Sequence, residues 1–342
     1  MPQNAPGVIG VKMRFLLVIL WVMLALMGCG EGENMDNFTY TQQKVIASPN
    51  ISGYGVFGFA SDTSIIIPGL AECYVPQGIA HWKQRGWLLI SGYFQPLREV
   101  QSAIVFALNA ATGDLVGEFS LVKRGGEAVG GHFSGIAVTE QELVVVQEKE
   151  LYRLSLQKIP KGGKAVLEVD GEIHLPHSAD FCNYAQGMLW IGEHHNPYRK
   201  DGTAQIALLV GYSISQGEEP VAICALTIPD RIQGVTLLAD GRFLLSQSYG
   251  RRNASHMLVF ADPRMVAPRS VVALGEIAVP LWHLDGQYAL ADLSAPPMAE
   301  GCCAAGMGAY LIFESAAYYY RAMNASDRAV HPIDTVWYLE IK

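Results

Sequence analysis

No cluster of Lys and Arg occurs anywhere in this chain, and its 24 basic residues are outnumbered by 32 acidic ones, a formal net charge of −8. That argues against a nucleic-acid partner, which needs a basic patch or stripe to meet phosphates. Signatures of familiar chemistry are missing too. The sequence has no Gly-x-Ser-x-Gly nucleophile elbow, no His-Glu-x-x-His zinc helix and no phosphate-binding loop. It has no Cys-x-x-Cys, so a zinc or redox motif is unsupported. Its longest apolar run, Phe15 to Leu26, falls short of the ~20 residues that span a bilayer. Charge is sparse at 16% of residues, while 50% are apolar. Such a chain buries a large core and is not disordered.

What the chain does have is a repeat. Gln77-Gly78-Ile79-Ala80 leads to Trp87-Leu88-Leu89-Ile90, and Ser134-Gly135-Ile136-Ala137 to Leu143-Val144-Val145-Val146. Asp180-Phe181-Cys182 leads to Met188-Leu189-Trp190-Ile191, Gln233-Gly234-Val235-Thr236 to Phe243-Leu244-Leu245, and Glu300-Gly301-Cys302-Cys303 to Tyr310-Leu311-Ile312-Phe313. The copies start roughly 45 to 67 residues apart, the period of a β-propeller blade rather than of a helical repeat. The 35 glycines and 17 prolines are spread along the chain, as many short strands joined by turns require.

A blade has four antiparallel strands, a to d from the channel outward, and each copy supplies a and b. Strand c follows at Ile104–Leu108, Leu151–Leu154, Ala207–Val210, Met257–Phe260 and Thr335–Ile341. Strand d is marked by a closing proline at Ile173–Pro176, Leu226–Pro229 and Ile277–Pro280, since proline cannot continue a ladder. The fifth copy has no strand d after it, but Ile65-Ile66-Ile67-Pro68 carries the same signature ahead of the first. An all-β propeller of five blades is expected, its ring closed by this N-terminal strand on the last blade. Six blades result instead if Trp282 to Asp292 is more than an insertion, because Tyr288-Ala289-Leu290 has the composition of a strand.

The N-terminus is a separate matter. Lys12 and Arg14 precede the apolar run, which ends in Leu26-Met27-Gly28-Cys29. This resembles a bacterial lipoprotein signal peptide over residues 1–29, and the resemblance implies cleavage before Cys29 and lipidation of its thiol. The other readings are an ordinary secretory signal or an uncleaved helix. Residues 30–44 are polar and lack a strand pattern, so they read as a flexible tether, followed by a single propeller domain over 45–342. The location expected is the bacterial cell envelope, on the periplasmic face or the outer membrane, with the membrane as one partner through the anchor. Five cysteines lie beyond residue 29, and an odd number leaves at least one free thiol.

Topology says where chemistry would gather. Strand a begins and strand b ends at the same mouth of the channel. The residues there are Gln77, His132, Asp180, Gln233 and Glu300 at strand-a starts, with Tyr93, Glu193-His194-His195, Tyr249, Arg251 and Glu314 at strand-b ends. Arg321 follows in Tyr318-Tyr319-Tyr320-Arg321. Gln77, Gln233 and Glu300 share one repeat position, directly before a glycine, and inward oxygen ligands of that kind suit a hard cation such as calcium. Glu193, His194 and Asp180 form the densest ionisable cluster and are the candidates for general acid–base work. Ser246 to Asn253 offers Arg251, Arg252, Tyr249 and several donors, suited to an anionic or sugar-like ligand. Polar groups that line a channel also often hydrogen-bond only one another and trapped water.

Pro76-Gln77-Gly78, Gly131 to Ala137, Gln233-Gly234, Ser246 to Asn253 and Pro297 to Gly301 resemble stretches of uncharacterised exported bacterial β-propeller proteins. Glu300 and Asp180 also resemble, less closely, metal ligands of the gluconolactonase and paraoxonase-like propellers. That second likeness implies calcium and hydrolysis of a small ester, lactone or sugar-derived substrate, although Gln77 and Gln233 depart from its ligand set. Two functions follow: a lipid-anchored binding or assembly module that meets a small molecule or envelope protein at the channel mouth, or a calcium-dependent hydrolase.

Overall fold

A computed structural model describes residues 38–47, 50–51, 53–54, 65–95, 103–195 and 206–341, all within the compact unit Asn37–Lys342. Cys29 and the signal-like segment lie outside the described residues. No helix among the described residues is long and apolar enough to cross a membrane.

The first blade comprises β1 (Tyr74–Trp82), β2 (Trp87–Phe94), β3 (Ile104–Asn109) and β4 (Leu115–Val122). The second contains β5 (Gly135–Val138), β6 (Glu142–Gln147) and β7 (Glu150–Ser155); β8 (Gly163–Glu168) then leaves it before β9 (Gly171–His174) completes it. The third is β10 (Phe181–Ala185), β11 (Met188–Gly192), β12 (Ala207–Ser213) and β13 (Val221–Ile228). The fourth has β14 (Ile232–Leu237), β15 (Phe243–Gln247) and β16 (Ser255–Phe260), then the excursion β17 (Ser270–Leu274) and β18 (Ile277–His283), then β19 (Ala289–Ala295). The fifth is β20 (Ala299–Ala305), β21 (Gly308–Phe313) and β22 (Trp337–Glu340), with the helical turn α1 (Tyr318–Arg321) between the last two strands. Innermost strands β1, β5, β10, β14 and β20 touch in that order, and β20 returns to β1, so the ring has five blades.

The apolar residues divide into five layers, each between two neighbouring blades. Every blade is therefore apolar on both faces, which is why β2 and β6 are buried at every position instead of alternating. The repeat's glycines belong to the waist of the ring. A Cβ on Gly78 would lie 2.9 Å from the Ile136 nitrogen, on Gly135 2.5 Å from the Cys182 nitrogen, and on Gly301 2.8 Å from the Gln77 oxygen. Only a residue without a side chain lets backbones approach so closely.

The ring closes where expected. Ile66 bridges Thr335 in antiparallel fashion, with Ile67 N–H donating to Asp334 O at 2.9 Å and Val336 N–H to Ile65 O at 2.8 Å. The packed chain nonetheless begins before residue 45. Thr39 and Tyr40 donate backbone N–H groups to the Glu118 carboxylate at 2.7 and 3.3 Å, and Gln42 bridges Ile66 O and Leu115 N–H. The last part of the segment read as a tether is thus strapped to the first blade.

One strand differs from the sequence reading. Ile277–Pro280 is not the outer strand of the fourth blade. It belongs to β18, which runs parallel to β13 on the third blade and puts Val279 into the apolar layer between blades two and three. Tyr288-Ala289-Leu290 leads into β19, which pairs with β16 and completes the fourth blade rather than founding a sixth. Similarly β8 runs parallel to β4 on the first blade. Two c–d connections thus reach back to cover the outer edge of the preceding blade.

Candidate functional site

The pairing of strands a and b slips at one place in three of the blades. The register shifts between Pro76 and Gly78 in β1, between Ile232 and Gly234 in β14, and between Ala299 and Cys302 in β20. Gln77 and Gln233 are the extra residues of such bulges, and Glu300 with Gly301 occupies the third. A bulge bends its strand and re-aims a side chain that would otherwise follow the pleat. Because blades four, five and one are neighbours in the ring, the three re-aimed side chains stand together.

They meet a fourth group. Gln233 Nε2 donates to Glu300 Oε1 at 3.3 Å, and Gln77 Nε2 donates to Glu314 Oε2 at 3.1 Å. Glu300 is only 2% exposed. Burial first, and the nearby Glu314 carboxylate second, hold its carboxyl well above the usual carboxylate range. Burial also pushes Glu314 up to about 7, against hydrogen bonds from Tyr320 and Gln77 and the charge of Arg251, which favour its anion. Burial thus disfavours the anion at both carboxyls of this pair.

Aromatic groups extend the constellation towards blade two. The Tyr320 and Tyr93 hydroxyls lie 3.4 Å apart, and the Tyr93 ring stacks on His132 with centroids 4.2 Å apart. Burial holds the His132 imidazole below its ordinary pKa, the Asp180 charge opposing and the His194 charge assisting. Asp180 accepts from the His194 backbone N–H at 2.8 Å and from Ser178 Oγ at 3.0 Å. His194 Nδ1 lies 3.1 Å from Ile232 O. Glu193 accepts from Leu208 N–H at 3.0 Å, and burial raises its pKa. His195 turns away to Asp230, its Nδ1 2.8 Å from Oδ1.

Above Glu314 lies a cavity of about 590 Å³ lined by Tyr249, Arg251, Arg252, Asn253, Glu314 and Tyr320, among others. The Arg251 guanidinium sits 5.3 Å from the centre of the Tyr320 ring and bonds Asp327 O at 3.3 Å. Tyr249 is covered on one face by Arg231, 3.9 Å from its ring centre. Five non-glycine residues at this mouth adopt the left-handed backbone: Cys73, Phe133, Glu148, Arg231 and Met298. Such conformations cost energy and collect where a site over-determines its backbone.

Most of the residues expected at the mouth are therefore brought together: Gln77, Gln233, Glu300 and Glu314 in one row, Tyr249 and Arg251 over it, and His132, Asp180 and His194 across the channel. Arg321 is not among them. It donates to the carbonyls of Ala316 and Leu70 and secures α1. The group that α1 delivers is Tyr320, one residue earlier, and the run of three tyrosines holds no signal for which one turns inward.

Calcium held by Glu300 and Asp180 does not fit the donors present. Each carboxylate already faces hydrogen-bond donors, and amide N–H groups rather than amide oxygens point at the acid pair. No group of three or more His, Cys, Asp or Glu suited to a metal ion occurs among the described residues. Cys73, Cys182, Cys224, Cys302 and Cys303 are all free thiols, the last four buried.

No protein-family model matches the chain, and no curated protein matches it in sequence. Among solved structures it is similar to glutaminyl cyclase from Myxococcus xanthus, at 10% identity and a TM-score of 0.47, over 84% of this chain and 96% of that one. It is likewise similar to the PQQ-bound form of aldose sugar dehydrogenase from Streptomyces coelicolor, at 12% identity and a TM-score of 0.45, over 86% and 100%. These likenesses assign no activity to this chain.

Proposed function

We propose that this protein is an exported, lipid-anchored β-propeller that binds a small anionic or sugar-like molecule at the mouth where strands a begin. The observation that carries the reading is the cavity over Glu314, where Arg251 and Arg252 supply cations and Asn253 and Tyr249 supply hydrogen-bonding groups. A sugar acid satisfies both: its carboxylate meets arginine, and its hydroxyls meet Asn253 and the tyrosines. Anchoring rests on the lipoprotein-like end at Cys29.

Calorimetric titration with glucuronate tests the site. Binding is expected, with at least a tenfold loss in Arg251→Ala, equivalent to ~1.4 kcal/mol. Absence of heat with glucuronate, or an Arg251→Ala affinity equal to wild type, would sink the reading. Metabolic labelling with a fatty acid tests the anchor: the wild type should be marked and Cys29→Ser should not. A hydrolase acting on a small lactone is the second reading, favoured only by Glu314, whose pKa of about 7 suits a general base. Turnover of gluconolactone that vanishes in Glu314→Gln would favour it over simple binding.

A further inference from the structure

The outer strands that end the blade sheets carry charge in most places. β8 has Lys164 and Glu168, β9 has Glu172, and β19 has Asp292. Charge on an outer strand keeps a further strand from adding to the open edge. β17, which ends the sheet of blade three, departs from this pattern. Its sequence Ser270-Val271-Val272-Ala273-Leu274 holds neither charge nor proline. Val271 is 69% exposed, and Ala273 is exposed on the same face of the strand. Across the ladder in β18 stand Ala278, exposed, and Pro280, half-buried. The solvent face of this hairpin is therefore apolar up to its open edge.

The hydrogen-bond phase of the hairpin decides what that edge offers. Leu274 and Ile277 close a two-residue turn, Gly275-Glu276, and the closing pair of such a turn is hydrogen-bonded. Bonded and non-bonded pairs alternate along an antiparallel ladder. Val272 and Val279 are thus a bonded pair, while Val271 with Pro280 and Ala273 with Ala278 are not. Pro280 agrees with this phase, since it has no N–H to donate. Val271 and Ala273 accordingly turn their backbone N–H and C=O groups away from β18, towards the open edge.

We infer that two copies of this protein pair through β17, antiparallel about a twofold axis at Val272. This register sets Val271 of each copy against Ala273 of the other. Every outward-facing backbone group of both strands is then hydrogen-bonded, and the exposed side chains are covered. The same register lays the exposed Arg269 of each copy alongside the Gly275-Glu276 turn of the other. That complementarity identifies the occupant as a second copy: chains of net charge −8 meet at a neutral strand flanked by matched charges. The pairing is independent of the reading at the channel mouth.

Light scattering on the full chain in mild detergent should give a dimer at ~0.1 mM, which saturates a Kd of about 1 μM. Val271→Lys puts a charge at an exposed edge position, so it should weaken the dimer at least tenfold and leave the monomer folded. Arg269→Glu and Glu276→Arg should each weaken it several-fold, and the double exchange should restore it. The two Val272 residues face each other as a non-bonded pair with Cα atoms ~4.5 Å apart, within the span of a disulfide. Val272→Cys should therefore give a covalent dimer on oxidation, while Val166→Cys, exposed on β8, should not. A monomeric wild type, which would leave the edge to a strand of another protein, overturns the inference. So does a dimer that survives Val271→Lys, or a Val166→Cys chain that cross-links as well as Val272→Cys.

Discussion

The two mouths of the channel are made from opposite ends of the same five inner strands, yet they differ in almost every physical respect. One carries three β-bulges, five left-handed non-glycine residues and a row of titratable groups reaching from Glu300 to His194. The other is formed by tight a–b turns on regular ladders, with Lys83 and Glu140 exposed at the rim and mostly small or neutral residues elsewhere. The connections explain the contrast. At the first mouth the chain crosses from the outer strand of one blade to the inner strand of the next, and such crossings have room for irregular backbone and for side chains that perform chemistry. At the second mouth a two-residue hairpin such as Gln186-Gly187 leaves room for little except the turn itself. This propeller holds a buried acid pair at one end of its channel and keeps the charged side chains of the other end at its exposed rim.

Breaking the ring should abolish the contrast outright. A chain that starts at Glu72 lacks Ile65, Ile67 and Leu70, all buried in the layer between blades five and one, each worth ~1.5–3 kcal/mol. It is expected to unfold, and both mouths with it. A chain that starts at residue 45 loses the N–H groups of Thr39 and Tyr40 on Glu118, the Gln42 bridge between Ile66 and Leu115, and the Tyr40 ring packed on Phe94 and Phe106. With each hydrogen bond worth about 0.5–1.5 kcal/mol, that should lower the unfolding free energy in urea by several times this amount while the ring stays closed. A fragment from Glu72 that melts like the whole domain would show that closure is not what holds the mouths.

pH separates the mouths more finely. The Glu300 and Glu314 pKa values are raised on folding, so the folded state holds their protons more tightly than the unfolded chain. Their contribution to stability is complete below the ordinary value of 4.5 and is lost as pH rises through about 7 for Glu314. His132 and His177 are lowered by burial from 6.5, so the unfolded chain binds their protons first and stability falls as pH drops below that value. Unfolding free energy should therefore peak between these limits. The loss on the alkaline side should be on the order of 1 kcal/mol per unit of separation, reduced at Glu314 by solvent screening through the cavity. Glu300→Gln and Glu314→Gln should flatten that limb, and Ala239→Trp at the second mouth should not. An alkaline limb unchanged in both glutamine variants would mean that the acid pair does not set it.

Much of the fold was legible in the residues because a propeller writes its period in glycine. Gly78, Gly135, Gly234 and Gly301 mark the waist where no side chain fits, and Ile65–Pro68 announced the closing strand by its likeness to other outer strands. The same likeness misled at Ile277–Pro280, since an apolar stretch ending near proline fits the outer edge of either neighbouring blade. Leu115–Val122, the outer strand of the first blade, has no closing proline and gave no comparable sign. At the site, Gln77, Gln233 and Glu300 were recognisable as one repeated position. Their pairing with Glu314 was not, because the bulge that re-aims each side chain depends on register between strands, which periodicity does not encode.

The smallest expected effect compares left-handed residues at the two mouths. Phe133 and Met298 at the first mouth have φ values of +45° and +68° but bury their side chains, at 0% and 3% exposure. Glycine there would relieve backbone strain and forfeit a core contact, and truncating a buried Phe costs ~3–5 kcal/mol. Phe133→Gly should therefore be strongly destabilising. Gln186 at the second mouth has φ +53° and an exposed side chain, so glycine gives up no packing. Holding a side chain in the left-handed region costs ~1–2 kcal/mol, part of which glycine returns through its greater freedom when unfolded. Gln186→Gly should thus raise the unfolding free energy by about 0.5–1 kcal/mol, read in urea at fixed pH. A destabilised Gln186→Gly would mean that the side chain makes contacts the turn depends on.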